Sequence, residues 1–361
     1  MKFALRTKKA IPSRALILAA AAVAAPFIHT YYASAFQKAF GTCNGSNVIW
    51  RETVTVSRNS CSIRDTNPVA VSAFNNSVAQ WDNPSNLTLS RSSNSVTDCS
   101  FDRATNDNNE VSLVNRSAID GNNGLTFSDI GACFIGANDI DEADATIAND
   151  MDLSVREGNV INPRYGRSTF VHEMGHFIGL GHVARTHAVM DNPNSAAMAG
   201  GNEPVQLWPD DANGLNALYG LTGSARSNLI VSSQQWVNGP TSFDSGVLAA
   251  CRGQSFSPTF FLGNSGNAAT GTYNIRIRLS TAAPFSGGYT GTTGVAATFT
   301  HSLPAFGEFI GPLTFTIPST LPINLTTPYN IYIDVDFTGG IAERNEGDNV
   351  TVSGLQIRVQ C

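Results

Sequence analysis

Charge is scarce in this chain: Asp, Glu, Lys and Arg together make up 14% of its 361 residues, and the balance is negative, at -6. That leaves no basic stripe to hold nucleic acid, so a nucleic-acid partner is not expected. Long apolar runs are also scarce. One stands near the N-terminus, and no later segment is apolar enough to cross a bilayer. None of the six cysteines falls in a CxxC pair, which excludes a close-spaced cysteine zinc site. The acidic residues show no EF-hand spacing. Histidine is rare as well, at six residues, which makes the grouping of His172, His176 and His182 informative.

Lys2, Arg6, Lys8, Lys9 and Arg14 precede an apolar run from Ala15 to Ile28, and Ala33-Ser34-Ala35 stands before Phe36. Residues 1–35 read as a secretory signal peptide with an A-x-A cleavage site, its apolar core being short for a membrane span. An uncleaved anchor is the alternative. The expected location is secreted or periplasmic, with no membrane span after cleavage. Export permits disulfides, and six cysteines allow fifteen pairings. The sequential set, Cys43 with Cys61, Cys99 with Cys133 and Cys251 with Cys361, keeps each bridge within one expected domain.

Val171 to His182 reads HExxHxxGxxH. His172 and His176, four apart, rise from one face of a helix and can share a metal ion. Glu173 is their neighbour and can reach a metal-bound water without ligating the ion. Gly179 lets the chain leave the helix at positive φ, so that His182 can return as third ligand. Three protein ligands leave a fourth position for water, as in a catalytic zinc site, and the pattern points to metal-assisted peptide hydrolysis.

Around this motif, Val48–Val56 reads as a strand. Pro68 opens a helix with Val71, Phe74, Val78 and Trp81 on its apolar face. Leu87–Leu89, Glu110–Val114, Leu125–Phe134 and Ala143–Ala148 read as further strands. Ser168 or Thr169 can cap the histidine helix. A last helix runs from Asp210 to Tyr219 and stops at Gly220, giving an α+β domain over 36–221.

Residues 46–220 resemble a matrixin, the metzincin subfamily that includes the matrix metalloproteases. The resemblance rests on the zinc motif, on Ala188-Val189-Met190 placed like a Met-turn, on the run Asp210-Asp211 to Leu218-Tyr219-Gly220, and on Glu142-Ala143-Asp144. It implies a metzincin fold with a mixed twisted sheet, one catalytic Zn2+ on His172, His176 and His182, and Glu173 as general base. It further implies Met190 as an apolar floor, Asp210 and Asp211 as braces of the Met-turn or of a chain end, and substrate extended beside the Leu125–Phe134 strand. An ordinary core methionine and helix N-terminal acids would explain Met190 and the Asp pair equally. The chain departs from the family pattern in three ways. It has no PRCGxPD cysteine switch, and Phe36–Asn47 is too short for a prodomain. It has no histidine before His172 except His29, so a second structural zinc is not expected. Asp191-Asn192-Pro193-Asn194 replaces the usual Pro-x-Tyr pocket wall. Calcium is a second candidate ion near Asp139, Asp141, Glu142, Asp144, Asp150 and Asp152, without an assigned ligand set, although solvated strand-end acids explain the same letters. His187 reads as an exposed loop residue.

Beyond Leu221 the period changes. Tyr273, Ile275, Ile277 and Leu279 alternate with polar residues, as do Ile331, Ile333, Val335 and Phe337, which predicts an all-β sandwich over 222–361. Ile333–Asn349 resembles the CARDB type of immunoglobulin-like module. The expected function is a secreted zinc endopeptidase acting on protein or peptide substrates, with the C-terminal domain holding a surface, polymer or protein partner. The rival is an inert adhesion protein, for which loss of Glu173 or of one histidine would argue; all four residues are present.

Overall fold

The computed structural model describes residues 37–40, 42–43, 46–59, 67–82, 84–96, 108–130, 139–151, 153, 166–183, 188–190, 206–232, 246–281, 293–347 and 349–361, all within one compact unit. The signal segment, Cys61, Cys99, Cys133, Asp152, His187 and Asp191–Asn194 lie outside the described residues.

The N-terminal part is built on a five-stranded mixed sheet. Val54–Asn59 lies parallel to both Leu89–Val96 and Asn109–Val114, and Asn109–Val114 lies parallel to Ile140–Ala148. Gly124–Ile130 pairs antiparallel with Ile140–Ala148 and forms one edge. The expected 125–134 strand is therefore an edge strand over its described residues. Two helices pack with this sheet. Pro68–Asp82 buries Ala70, Ala73, Phe74, Ser77, Val78 and Trp81, and Asn67 Oδ1 accepts the Val69 N–H at 2.8 Å, capping it one residue before the proline. The second helix, Gly166–Phe177, carries the histidines. Ser168 and Thr169 lie inside its first turn rather than at its cap.

The first predicted strand begins later than expected, at Val54. Upstream, Ile49 makes only an isolated bridge to Asp139. The Trp50 N–H goes to the Tyr219 hydroxyl at 3.2 Å, and its indole goes to Phe177 O at 2.9 Å. A residue whose amide and side chain both bond helix-end groups is not free to join a ladder. It instead satisfies a carbonyl left open where the histidine helix ends. Trp81 anchors the same helix through Val171 O, at 2.8 Å.

The C-terminal part is built on two larger sheets, with Ser255–Phe256 and Phe315–Thr316 forming a further two-stranded ladder. One orders Gly246–Ala250, Val350–Val359, Tyr329–Val335, Tyr273–Ser280 and Thr293–His301; the other orders Leu229–Ser232, Thr259–Asn264 and Glu308–Pro312. Leu229, Val231, Phe260 and Leu262 from the small sheet share one core with Ile275, Ile277, Ile331, Ile333 and Ile357 from the large one, the inward half of a period-2 pattern. The predicted strand through Phe337 stops at Val335. Asp336 takes positive φ (43°) and its carboxylate accepts the Gly340 and Ile341 N–H groups at 3.0 and 2.7 Å. Gly246–Ala250 runs parallel to Val350–Val359 in the register Ala250↔Val359. That register brings Cys251 and Cys361 together, and they form a disulfide with Cα atoms 4.6 Å apart. Among the described residues no helix is long and apolar enough to cross a membrane.

Candidate metal centre

The histidine helix leaves its axis where glycine permits. Gly179 has φ 94°, and the chain turns into the short strand Leu180–Gly181, which pairs antiparallel with Gln37–Lys38. This reversal brings His182 back to the helix face. His182 Nε2 lies 3.1 Å from His172 Nε2 and 3.0 Å from His176 Nε2. Among the described residues these three form the one group of histidine, cysteine and carboxylate side chains able to share a metal ion.

The opposite ring nitrogens fix the tautomers. His172 Nδ1 lies 2.6 Å from Val189 O, and His176 Nδ1 lies 2.7 Å from Leu180 O. A carbonyl only accepts, so each Nδ1 carries the proton and each Nε2 turns its lone pair to the common point. Burial holds both rings neutral: it lowers the pKa of His172 to about 3, with His176 adding to the shift, and that of His176 to about 4. The Nε2 lone pairs of His172 and His176 face one point together with His182 Nε2, an arrangement that a cation between the three rings would satisfy. Tetrahedral zinc with bonds of roughly 2.0–2.1 Å would set its nitrogens about 3.3 Å apart, so the donor set fits that ion.

Glu173 is buried, and burial raises its pKa to about 7. Thr126, on the edge strand, donates its hydroxyl to Glu173 Oε2 at 2.7 Å and pulls that pKa back down. The carboxylate occupies the space a side chain at position 124 would take: a Cβ on Gly124 would lie 2.5 Å from Glu173 Oε1. The edge strand therefore receives the carboxylate as well as flanking the site. Neither Thr126 nor Gly124 was singled out in the sequence, because strand periodicity gives a residue's face but not the group it meets.

Met190 is buried, and its sulfur fills the place of an absent side chain on the helix, since a Cβ on Gly175 would lie 2.2 Å from it. Asp211 is buried under this turn. Its carboxylate accepts the N–H groups of Val189 (2.8 Å), Met190 (3.0 Å) and Trp208 (3.0 Å). Burial pushes the Asp211 pKa up, to about 7, against the pull of these three donors. Asp210 is buried beside it and adds to the upward shift. The closing helix, Pro209–Tyr219, ends at Gly220 with φ 75°, and the Tyr219 hydroxyl donates to Ile178 O at 2.8 Å, satisfying a second open carbonyl.

Among the described residues, the acids considered for calcium form no group able to share an ion. Asp139 pairs with Arg51, Asp150 pairs with Arg116 at 2.7 Å, and Asp144 accepts the Glu110 N–H at 3.0 Å.

Comparison with known proteins finds that the matrixin model of the M10 peptidases matches residues 50–220. Metalloendoproteinase 5-MMP of Arabidopsis thaliana is 43% identical over 53 residues, covering 15% of this chain and 14% of that protein; the chain thus spans about a seventh of that relative. Among solved structures, the CARDB domain of the PF1109 protein from Pyrococcus furiosus is 18% identical, with 38% of this chain and all of that one covered, at a TM-score of 0.26. A putative cell surface protein domain from Methanosarcina acetivorans is also 18% identical, covering 36% and 92%, at a TM-score of 0.23.

Proposed function

We propose, from the premise that this is a matrixin-like protein, that it is a secreted zinc endopeptidase of metzincin architecture. The observation that carries this is the convergence of three imidazole nitrogens beside the buried carboxyl of Glu173. His172, His176 and His182 would hold one zinc ion, which when bound supplies a Lewis acid and a water of lowered pKa. Val189 O and Leu180 O orient two of the rings and keep their protons away from the ion. Glu173, with a pKa near neutrality, takes the proton of the attacking water and returns it to the leaving amine. Thr126 holds its carboxylate through Oε2. The edge strand Gly124–Ile130 would offer main-chain groups to an extended peptide in the manner of strand addition. Met190 forms the apolar floor, and Asp210 and Asp211 brace the turn that carries it. Calcium is retained only as a candidate structural ion without a ligand set.

We read residues 1–35 as the export signal, 36–221 as the catalytic domain, and 222–361 as an immunoglobulin-like, CARDB-type domain. The decisive experiment combines metal analysis of the purified protein with casein hydrolysis before and after a chelator. One tightly bound zinc per chain and chelator-sensitive cleavage are expected. Absence of zinc, or cleavage that survives chelation, refutes the reading.

A further inference from the structure

The small sheet of the C-terminal sandwich has two apolar faces. Leu229, Val231, Phe260 and Leu262 point into the sandwich core, yet Ile230 and Phe261, which alternate with them, are also buried, at 1% and 5% exposure. An outer face of this kind is ordinarily polar. Here Ile230 and Phe261, with the half-buried Ile310, form a cluster with Trp208 from the segment that opens the closing helix. Pro209 lies over Gly263, where an added Cβ would stand 2.9 Å from its Cγ and from Ile230 Cγ1. The contact is therefore a fitted seam between the sandwich and the residues just before Asp211.

From Trp208 a continuous chain of short contacts leads to the histidines. The Trp208 N–H and the Val189 N–H share Asp211 Oδ2, at 3.0 and 2.8 Å, and the Met190 N–H takes Oδ1 at 3.0 Å. Val189 O, in the same peptide unit as the fixed Met190 N–H, accepts the Nδ1–H of His172 at 2.6 Å. Met190 O accepts the Val183 N–H at 2.8 Å, next to His182. A second tie crosses the same boundary: the Thr222 N–H donates to Pro84 O at 3.0 Å, while Thr222 O accepts from the Arg344 guanidinium at 2.7 Å.

We infer that the C-terminal sandwich is a brace for the metal centre. Phe261, Ile230 and Gly263 act as positioning residues that, through Trp208 and Asp211, set the turn orienting His172. The inference rests on the zinc reading above only for its metal-dependent arm. It gives the sandwich a mechanical role in the same molecule, in addition to any external partner. Groups that orient a metal-bound imidazole typically change metal affinity by roughly 10–100-fold when lost.

The test uses the full chain with Phe261→Ala and with Gly263→Ala, which wedges Pro209. Phe261→Leu is the conservative rescue. Ile333→Val, in the sandwich core and away from Trp208, controls for general loss of stability. Amide hydrogen exchange at Val189 and Met190 in the zinc-free chain should quicken about tenfold or more in the first two variants. Transfer of zinc from the loaded chain to a chromogenic chelator should quicken about tenfold. Phe261→Leu should fall near wild type, and Ile333→Val should leave both amides unchanged. Unchanged exchange at Val189 and Met190 in folded Gly263→Ala and Phe261→Ala, or an equal change in Ile333→Val, overturns the brace. A wild-type chain that takes up no zinc sinks the zinc reading instead, while the exchange arm still decides the brace.

Discussion

Asn264 in the sandwich and Glu173 in the histidine helix are both buried polar side chains, 0% and 5% exposed, and their surroundings differ in kind. Asn264 Oδ1 accepts the N–H groups of Asn228 and Gly266 at 2.9 and 3.1 Å, and its Nδ2 donates to Ala268 O and Pro304 O, both at 2.7 Å. Every hydrogen-bonding position of the amide is used, and the side chain ties three loops together. Glu173 accepts a side-chain hydrogen bond from Thr126 and lies in a place that raises its pKa to about 7. Full satisfaction is what stability asks of a buried polar group, whereas an ionisation poised near neutrality is what proton transfer asks. The sandwich and the N-terminal part are thus built to different ends, although one seam joins them.

The sharpest way to break this contrast is to neutralise each side chain. Glu173→Gln should lower casein hydrolysis by at least about 10²–10⁴-fold, the usual worth of a positioned acid–base group. Zinc content and thermal midpoint should stay near wild type, because an uncharged isostere relieves the burial of a carboxylate. A large fall in midpoint with activity retained would reverse the roles assigned to the two regions. In the sandwich, replacing Cys251 and Cys361 by serine opens a bridge spanning 110 residues of sequence. Chemical denaturation should then show a loss of about 2–5 kcal/mol, while turnover per folded molecule at low temperature stays unchanged. Asn264→Ala removes partners from four backbone groups at once and should cost roughly 2–4 kcal/mol in the same measurement. A cost under about half a kcal/mol would mean that water replaces the amide and that the loops do not depend on it.

The two regions were also unequally legible in the sequence. In the sandwich, strict alternation from Tyr273 to Leu279 gave the inward face directly, because a period of two leaves one choice of face. It could not show that the other face of the small sheet is apolar too, since Ile230 and Phe261 meet a segment outside the sandwich. In the N-terminal part, His172, His176, His182 and the positive φ of Gly179 were readable because metal geometry requires fixed spacing on one helix and one turn. Val48–Trp50 misled, since β-branched letters suit a strand whether or not its amides are free to pair. Thr126, Gly124 and Gly175 were invisible because each matters through a neighbour distant in sequence: Glu173 for the first two, Met190 for the third. Asp211 was legible as an acid near a helix start, yet its three backbone N–H partners follow only from the folded path of the Met190 turn.

The smallest expected effect bears on how finely the Glu173 environment is set. A carboxylate acts as base only when ionised, so hydrolysis should fall as pH drops through the Glu173 pKa, at or below about 7 in the loaded protein, where a bound cation lowers it. The Thr126 hydroxyl donates to the ionised form and so pulls the pKa down; removing it must move the pKa up. Thr126→Val keeps the side-chain shape on the edge strand while deleting that donor. The acidic limb of kcat/KM should therefore shift to higher pH, with rates near pH 6 reduced severalfold and rates on the alkaline plateau close to wild type. A uniform loss at every pH would show that Thr126 fixes only the position of Glu173, and a shift to lower pH would contradict the direction of the hydrogen bond. Because the variant leaves the metal ligands and the sandwich seam untouched, its pH profile isolates the edge strand's contribution to the buried carboxyl.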